Sequence, residues 1–269
     1  MTQLPGTPSA RPGGLDPALL ALVTGAASGV GLATTRCLLD RGSSVIGVDL
    51  EPQPDCFPAG PRLAWITGDV SAGATWAQAL TLAESRFGTT PGVLILNAAK
   101  LAVGTVLETP VDTFRQVFEV NVYAAVLGMQ ACLPSMIGRG GGAVVVVASV
   151  NALQAEQDLA AYNSSKGALI QLVRSAAVDH ARSGVRINAV CPTSIDTPFI
   201  RGQVDSMPDP AAFRAEIAAR HPLGRILDPE EVALVVVFLS TTEARGMTGA
   251  SVVVDLGLTA SADFIPPAG

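Results

Sequence analysis

Seven short runs of apolar and β-branched residues alternate with longer helical stretches, and this alternation predicts an α/β fold with a parallel sheet covered by helices on both faces. The runs are almost continuously apolar, as strands buried on both faces are. No linker divides the 269 residues, a length that one α/β domain commonly reaches. Right-handed crossovers then give a doubly wound sheet of about seven strands in a single domain, expected over residues 18–260. The 49% hydrophobic content supplies a large core and excludes a mainly disordered chain.

The first strand, Leu19–Thr24, is followed by Gly25-Ala26-Ala27-Ser28-Gly29-Val30-Gly31 and a helix. In this position a G-x-x-x-G-x-G loop suits a pyrophosphate. Gly25 allows a tight turn, Gly29 lets the backbone approach the anion, and Gly31 lets the helix pack closely on the strand. Gly25, Ser28, Gly29, Val30 and Gly31 are therefore candidate dinucleotide contacts in a Rossmann-type fold. The second strand, Ser44–Asp49, ends in a carboxylate 18 residues beyond Gly31. Such an acid can accept hydrogen bonds from the adenosine ribose and repels a 2′-phosphate. Ser28, Leu50 and Glu51 supply no cation, so NAD is expected rather than NADP. The third strand, Leu63–Thr67, leads to Asp69-Val70, placed to meet the adenine.

The fourth strand, Val93–Leu96, precedes Asn97-Ala98-Ala99, and a long apolar helix is expected around Val111–Gly138. The fifth strand, Ala143–Ala148, delivers Ser149 to the sheet's C-terminal edge, where open α/β sheets bind ligands. A helix from about Tyr162 to Arg182 follows, then the sixth strand, Arg186–Val190, and later the seventh, Ser251–Val254. Between those two strands the segment 193–228 breaks the rhythm with two Pro-rich turns and one short amphipathic helix near Ala211–Arg220. An excursion of this length reads as a substrate lid.

The chemistry is narrowed by rarity. There are two Tyr and two Lys in the chain, yet Tyr162 and Lys166 stand four apart on one helix face. A chance Tyr-x-x-x-Lys at these counts is expected roughly 1–2% of the time. A free phenol has a pKa of ~10, and moving it to ~7 needs about 4 kcal/mol of differential stabilisation. One ammonium at ~4–5 Å supplies about 3–4 kcal/mol at an effective dielectric near 20. An ammonium so placed can thus bring a phenol into the range of a general base.

On these motifs the chain resembles the short-chain dehydrogenase/reductase family in its short single-domain branch, over about Leu19 to Thr259. The resemblance implies four catalytic residues, Asn121, Ser149, Tyr162 and Lys166, with Lys166 activating Tyr162 as general base, Ser149 holding the substrate oxygen and Asn121 holding a water that passes the proton on. It implies cofactor contacts from Asn97, Ala98 and Ala99, from Pro192 in Arg186–Pro192, and from Ile195 and Thr197. It also implies a homotetramer or homodimer. Three residues depart from the family pattern: Ala99, Thr193 and Leu256 each stand where a glycine is usual. Ala99 is a cost if its position needs positive φ.

The expected function is hydride transfer between NAD and a secondary alcohol or ketone, cyclic or medium-sized. Asn151, Gln154 and Phe199 are candidate substrate contacts, and Gln157, Ile195, Ile200 and Met207 further wall residues. Lys100 stands near the mouth, with Glu108 the expected ion-pair partner. The competing readings are an NADPH-type carbonyl or 3-oxoacyl reductase and a non-catalytic dinucleotide sensor.

Composition sets the remaining expectations. Net charge −6 with no basic run argues against nucleic-acid or anionic-membrane partners. Two His and four scattered Cys, none in a C-x-x-C pair, argue against a metal site or a disulfide framework and for a reducing cytoplasm. Residues 1–17 read as a flexible arm and 261–269 as a tail.

Overall fold

The computed structural model describes residues 19–57 and 60–261. The expected arm over 1–17 lies outside the described residues, as does all of the expected tail except Ser261.

The chain forms one seven-stranded sheet: β1 Leu20–Thr24, β2 Ser44–Asp49, β3 Leu63–Thr67, β4 Val93–Leu96, β5 Gly142–Val147, β6 Val185–Pro192 and β7 Ser251–Val254. The strand order is β3-β2-β1-β4-β5-β6-β7, and every neighbouring pair is parallel. Alternation of side chains explains why the strands read as unbroken apolar runs. In β1, Leu20 and Leu22 enter the core on one face, while Ala21 and Val23 enter it on the other. In β5, Val144 and Val146 oppose Val145 and Val147 in the same way.

Helices α1 (Gly29–Asp40) and α8 (Pro229–Ser240) cover one face through Val30, Leu38, Val232 and Val236. Helices α2 (Gly73–Phe87), α4 (Ala124–Gly138) and α5 (Ala160–His180) cover the other through Trp76, Met129, Cys132, Leu169 and Val173. Helix α3 (Val111–Phe118) runs into α4 through a π-helical stretch, Glu119–Tyr123. The continuous helix Val111–Gly138 is long and apolar enough to cross a membrane by length and composition. Its packing on the sheet accounts for that apolarity, since Ala124, Ala125, Met129, Cys132 and Met136 are buried.

The 193–228 segment carries two helices, α6 (Pro198–Asp205) and α7 (Pro210–Ala219), not the single one expected. Pro198 reads as a breaker in sequence but occupies the first helical position, where its missing N–H is harmless. A small cluster of Val204, Ile217 and Ile226 holds the two helices. Asp196 adds ion pairs to Arg201 (2.9 Å) and Arg214 (2.8 Å).

Strand order reverses between β1 and β4, so the crevice beyond their C-terminal ends is the natural ligand position.

Candidate active site

The loop after β1 is held from beneath. The Gly25 N–H donates to the Val48 carbonyl at 2.9 Å, and the Ala27 N–H to Asp49 Oδ2 at 2.8 Å. Asp49 Oδ1 accepts the Glu51 N–H at 3.1 Å. The acid expected at a ribose thus also fixes the loop's shape. Gly25 (φ +65°) and Gly29 (φ +51°) sit in the left-handed region, where a side chain is strained. Gly31 serves packing, because a Cβ there would lie 1.9 Å from the Gly25 carbonyl oxygen. Helix α1 has no side-chain cap and no acidic residue in its first turn, so its positive end faces the crevice uncompensated. Asn97 closes the other side, its amide donating to the carbonyls of Thr24 (3.0 Å) and Gly25 (3.1 Å). Ala99 is not among the non-glycine residues at positive φ, which in the described residues are Asp158 and Leu256, both at 55°. The methyl of Ala99 therefore carries no backbone strain, whereas Leu256 does.

The second group stands across the crevice. Ser149 follows β5 and its Oγ accepts the Asn151 N–H at 3.1 Å, a local turn that orients the hydroxyl. Tyr162 and Lys166 project from the first turns of α5. Lys166 is almost completely buried, and its ammonium donates to the Val147 carbonyl at 3.0 Å. It lies 5.4 Å from the centre of the Tyr162 ring. Burial pushes the Lys166 ammonium down to about 8. Burial also pushes the Tyr162 phenol up to about 12, a hydrogen bond from Ser149 pulls it down, and the Glu156 carboxylate pushes it up. In the protein alone, desolvation outweighs the hydrogen bond from Ser149 and holds the phenol above its ordinary value.

Asn121 lies in the π-helical stretch. Its Oδ1 accepts the Lys100 N–H at 2.7 Å, and its Nδ2 donates to the Lys100 carbonyl and to Ser165 Oγ, both at 2.9 Å. Ser165 in turn donates to the Tyr162 carbonyl at 2.7 Å. Both amide hydrogens are engaged, so the side chain joins the end of β4 to the helix carrying Tyr162.

One cavity of about 970 Å³ joins these parts. Gly25, Ser28, Gly29, Val30, Asp49, Asp69, Val70, Asn97, Ala98, Ala99, Pro192, Ile195 and Thr197 line it, as do Ser149, Tyr162 and Lys166. Gly31 and Asn121 do not. Asn151, Gln154, Gln157, Ile200 and Met207 line it too. The side chain of Phe199 lies outside the described residues. Lys100 does not pair with Glu108: its Nζ donates to Gln116 Oε1 at 2.8 Å, and Glu108 accepts from Thr105 instead.

Sequence reasoning missed several lining residues, among them Glu156, Phe213, Ile217, Arg220, His221 and Leu258. His221 had a signal, being one of two histidines in the chain. It is buried, with Nδ1 at 2.8 Å from the Ile217 carbonyl and Nε2 at 2.8 Å from Thr193 Oγ1. The carbonyl can only accept, so Nδ1 carries the proton, and burial holds the ring's pKa below its ordinary value. Thr193, one of the departures from the family pattern, thus ties the end of β6 to the end of α7.

A family model described as enoyl-(acyl carrier protein) reductase matches residues 25–259. The cis-4-hydroxycyclohexanecarboxylate dehydrogenase of Sinomonas cyclohexanicum is 37% identical over 247 residues, covering 90% of this chain and 96% of its own length. The 2-(R)-hydroxypropyl-CoM dehydrogenase of Xanthobacter autotrophicus is also 37% identical, over 253 residues, covering 90% and 98%. Among solved structures, the ligand-free aldohexose dehydrogenase of Thermoplasma acidophilum superposes with a TM-score of 0.84 at 31% identity, covering 93% of this chain and 97% of that one.

Proposed function

The chain belongs to the short-chain dehydrogenase/reductase family, and we propose that it oxidises a cyclic or medium-sized secondary alcohol with NAD. The observation that carries this reading is the meeting, in one cavity, of the loop at Gly25–Gly29, the Asp49 carboxylate and the Ser149–Tyr162–Lys166 group.

The residues fit a dinucleotide. Gly29 opens α1 at positive φ, where a Cβ would come within 2.9 Å of Thr197, and the uncapped start of α1 favours a pyrophosphate. Asp49 is pinned at the end of β2 with its carboxylate at the cavity wall, which supports ribose hydroxyls and opposes a 2′-phosphate. NAD held there would supply the hydride acceptor and positive charge to the site. Tyr162 takes the proton from the substrate hydroxyl, and that added charge supports its ionisation. Ser149 donates a hydrogen bond to the substrate oxygen, and Lys166 holds its charge beside the phenol. Asn121, expected to hold a water, acts instead through Lys100 and Ser165 as a positioning residue.

The cavity lining supports the substrate class. Ile200, Met207, Phe213, Ile217 and Leu258 offer an apolar wall, with Asn151 and Gln154 for orientation. The relative that acts on a hydroxylated cyclohexane ring favours the same class. Reduction of a carrier-bound acyl group is the second reading, favoured by the description of the matching family. The acidic net charge and Asp49 oppose it, since such carriers are acidic and a 2′-phosphate meets like charge. We also infer a reducing cytoplasm and a second copy of the chain as partner. Four unpaired cysteines support the first, and exposed Leu234, Phe238 and Val253 on α8 and β7 support the second.

Calorimetric titration of the wild type and Asp49→Ser with NAD and NADP tests the cofactor. The expected result is tighter binding of NAD, with the preference reduced in the variant. Tighter binding of NADP by the wild type overturns it.

A further inference from the structure

Glu156 lies in the loop between Ser149 and α5 and lines the cavity. Its Oε1 accepts from Arg220 at 2.8 Å, across 64 residues of sequence. Its Oε2 stands 3.5 Å from the Asn151 amide, which donates to Asn163 Oδ1 at 3.0 Å. Asn163 donates back to the Glu156 carbonyl at 2.8 Å. Asn163 is the neighbour of Tyr162, and Asn151 is held by Ser149. A connected set of hydrogen bonds therefore runs from the 193–228 segment through Glu156 to both sides of the reacting position.

We propose that Glu156 is a positioning residue whose ion pair with Arg220 latches the 193–228 segment to the substrate loop and offsets part of the carboxylate's charge near Tyr162. The proposal rests on Tyr162 being the acid/base of the reaction. With Arg220 in place, Glu156 still pushes the phenol up, and the guanidinium offsets part of that charge. With Arg220 withdrawn, the carboxylate stands alone and opposes ionisation of Tyr162 more strongly. Opening of the segment is thereby coupled to a less basic site.

Other groups face the same place. Lys166 comes from α5, Ser149 from the end of β5, and Cys191 from β6, where it acts through Lys166. Asp158 lines the cavity from the substrate loop, and Glu216 and His221 line it from the 193–228 segment. All of these stay unchanged when only Glu156 and Arg220 are altered, so they drop out of the comparison.

The test uses the chain's two tyrosines. Tyr123 is exposed, so Tyr123→Phe leaves Tyr162 as the one phenol whose ionisation the tyrosinate band reports. In that background Glu156→Gln, Arg220→Gln and the double variant are compared at about pH 11, with circular dichroism confirming the fold. A shift of about half a pH unit for a partly screened charge changes the ionised fraction about threefold. Glu156→Gln is expected to raise that fraction, Arg220→Gln to lower it, and the double variant to return near the parent. In NADH-forming turnover the rising limb of the pH profile is expected to move to lower pH in the first and to higher pH in the second. KM for the alcohol is expected to rise in both. Movement of both single variants in the same direction, or of neither, overturns the proposal. If the wild type makes no NADH on any alcohol, the functional reading fails, while the tyrosinate band still decides the role of Glu156.

Discussion

The floor of the cavity and the wall over it are built from different forces. The floor is the C-terminal edge of the sheet, where β1, β4 and β5 are buried on both faces and the loop at Gly25 is positioned by backbone hydrogen bonds. The wall is the 193–228 segment, whose own apolar cluster has three buried residues. Exposed ion pairs at Asp196 and Glu156, with the buried Thr193–His221 hydrogen bond, do much of the holding there. Apolar burial on two faces makes the floor insensitive to pH and salt. Charge pairs that are worth little in water leave the wall easier to move. A dinucleotide needs a fixed cradle, and a substrate needs an entrance, so the division matches the proposed function.

The largest expected effect breaks the floor. Gly31→Ala places a Cβ at 1.9 Å from the Gly25 carbonyl oxygen, and no flexible side chain can yield. A loss of about 3 kcal/mol or more is expected, together with loss of dinucleotide binding. Chemical denaturation and calorimetry read the two. Retained stability and binding would show that the loop can shift.

Next in size is the buried charge at the floor's edge. Lys166→Met replaces a desolvated ammonium with an apolar chain of similar length, and is expected to stabilise the fold by about 1–3 kcal/mol near neutral pH while removing turnover. The sign follows from the depressed pKa. Between about 8 and ~10.4 the unfolded chain holds a proton on Lys166 that the folded chain does not, so wild-type stability gains over that window. The variant's advantage should therefore shrink as pH rises from 7 to 10, measured as a difference in thermal midpoint.

In the wall, Ile217→Ala opens the three-residue cluster without touching the sheet. Its loss is expected at about 1–2 kcal/mol, below the usual core value because the site can collapse. KM for the substrate should rise while dinucleotide binding stays unchanged. Equal losses in both would mean that floor and wall unfold as one unit.

The smallest effect is acid loosening of the wall. Hydrogen bonds from Arg214 and Arg201 hold Asp196 at about 2, and the Arg225 hydrogen bond holds Glu231 there as well. These carboxylates stabilise the fold above the ordinary carboxylate range and lose that contribution as pH falls from ~4 through 2. Hydrogen exchange at about pH 3 should rise first in α6 and α7 and leave β1, β4 and β5 protected.

The same division governs how much of the molecule is legible in its sequence. All seven strands read directly, because burial on two faces leaves uninterrupted runs such as Val144–Val147. Tyr162 and Lys166 read from helical spacing, and the loop from its glycines. The wall resisted. Two helices form where one was expected, and Lys100 meets Gln116 rather than Glu108. Glu156 and Arg220 are joined across 64 residues, a pairing with no local pattern. Asp49 showed its carboxylate in sequence but not the hydrogen bond to Ala27 that shapes the loop. Local periodicity records which elements form, whereas polar partners are chosen only when the elements have packed.

The most direct test of the central claim is NADH formation from a panel of cyclic and linear secondary alcohols, run on the wild type beside Tyr162→Phe. The account predicts turnover with a cyclic or medium-sized alcohol that falls by about a thousandfold in the variant, while NAD binding and thermal stability hold. Unchanged turnover in Tyr162→Phe would contradict it.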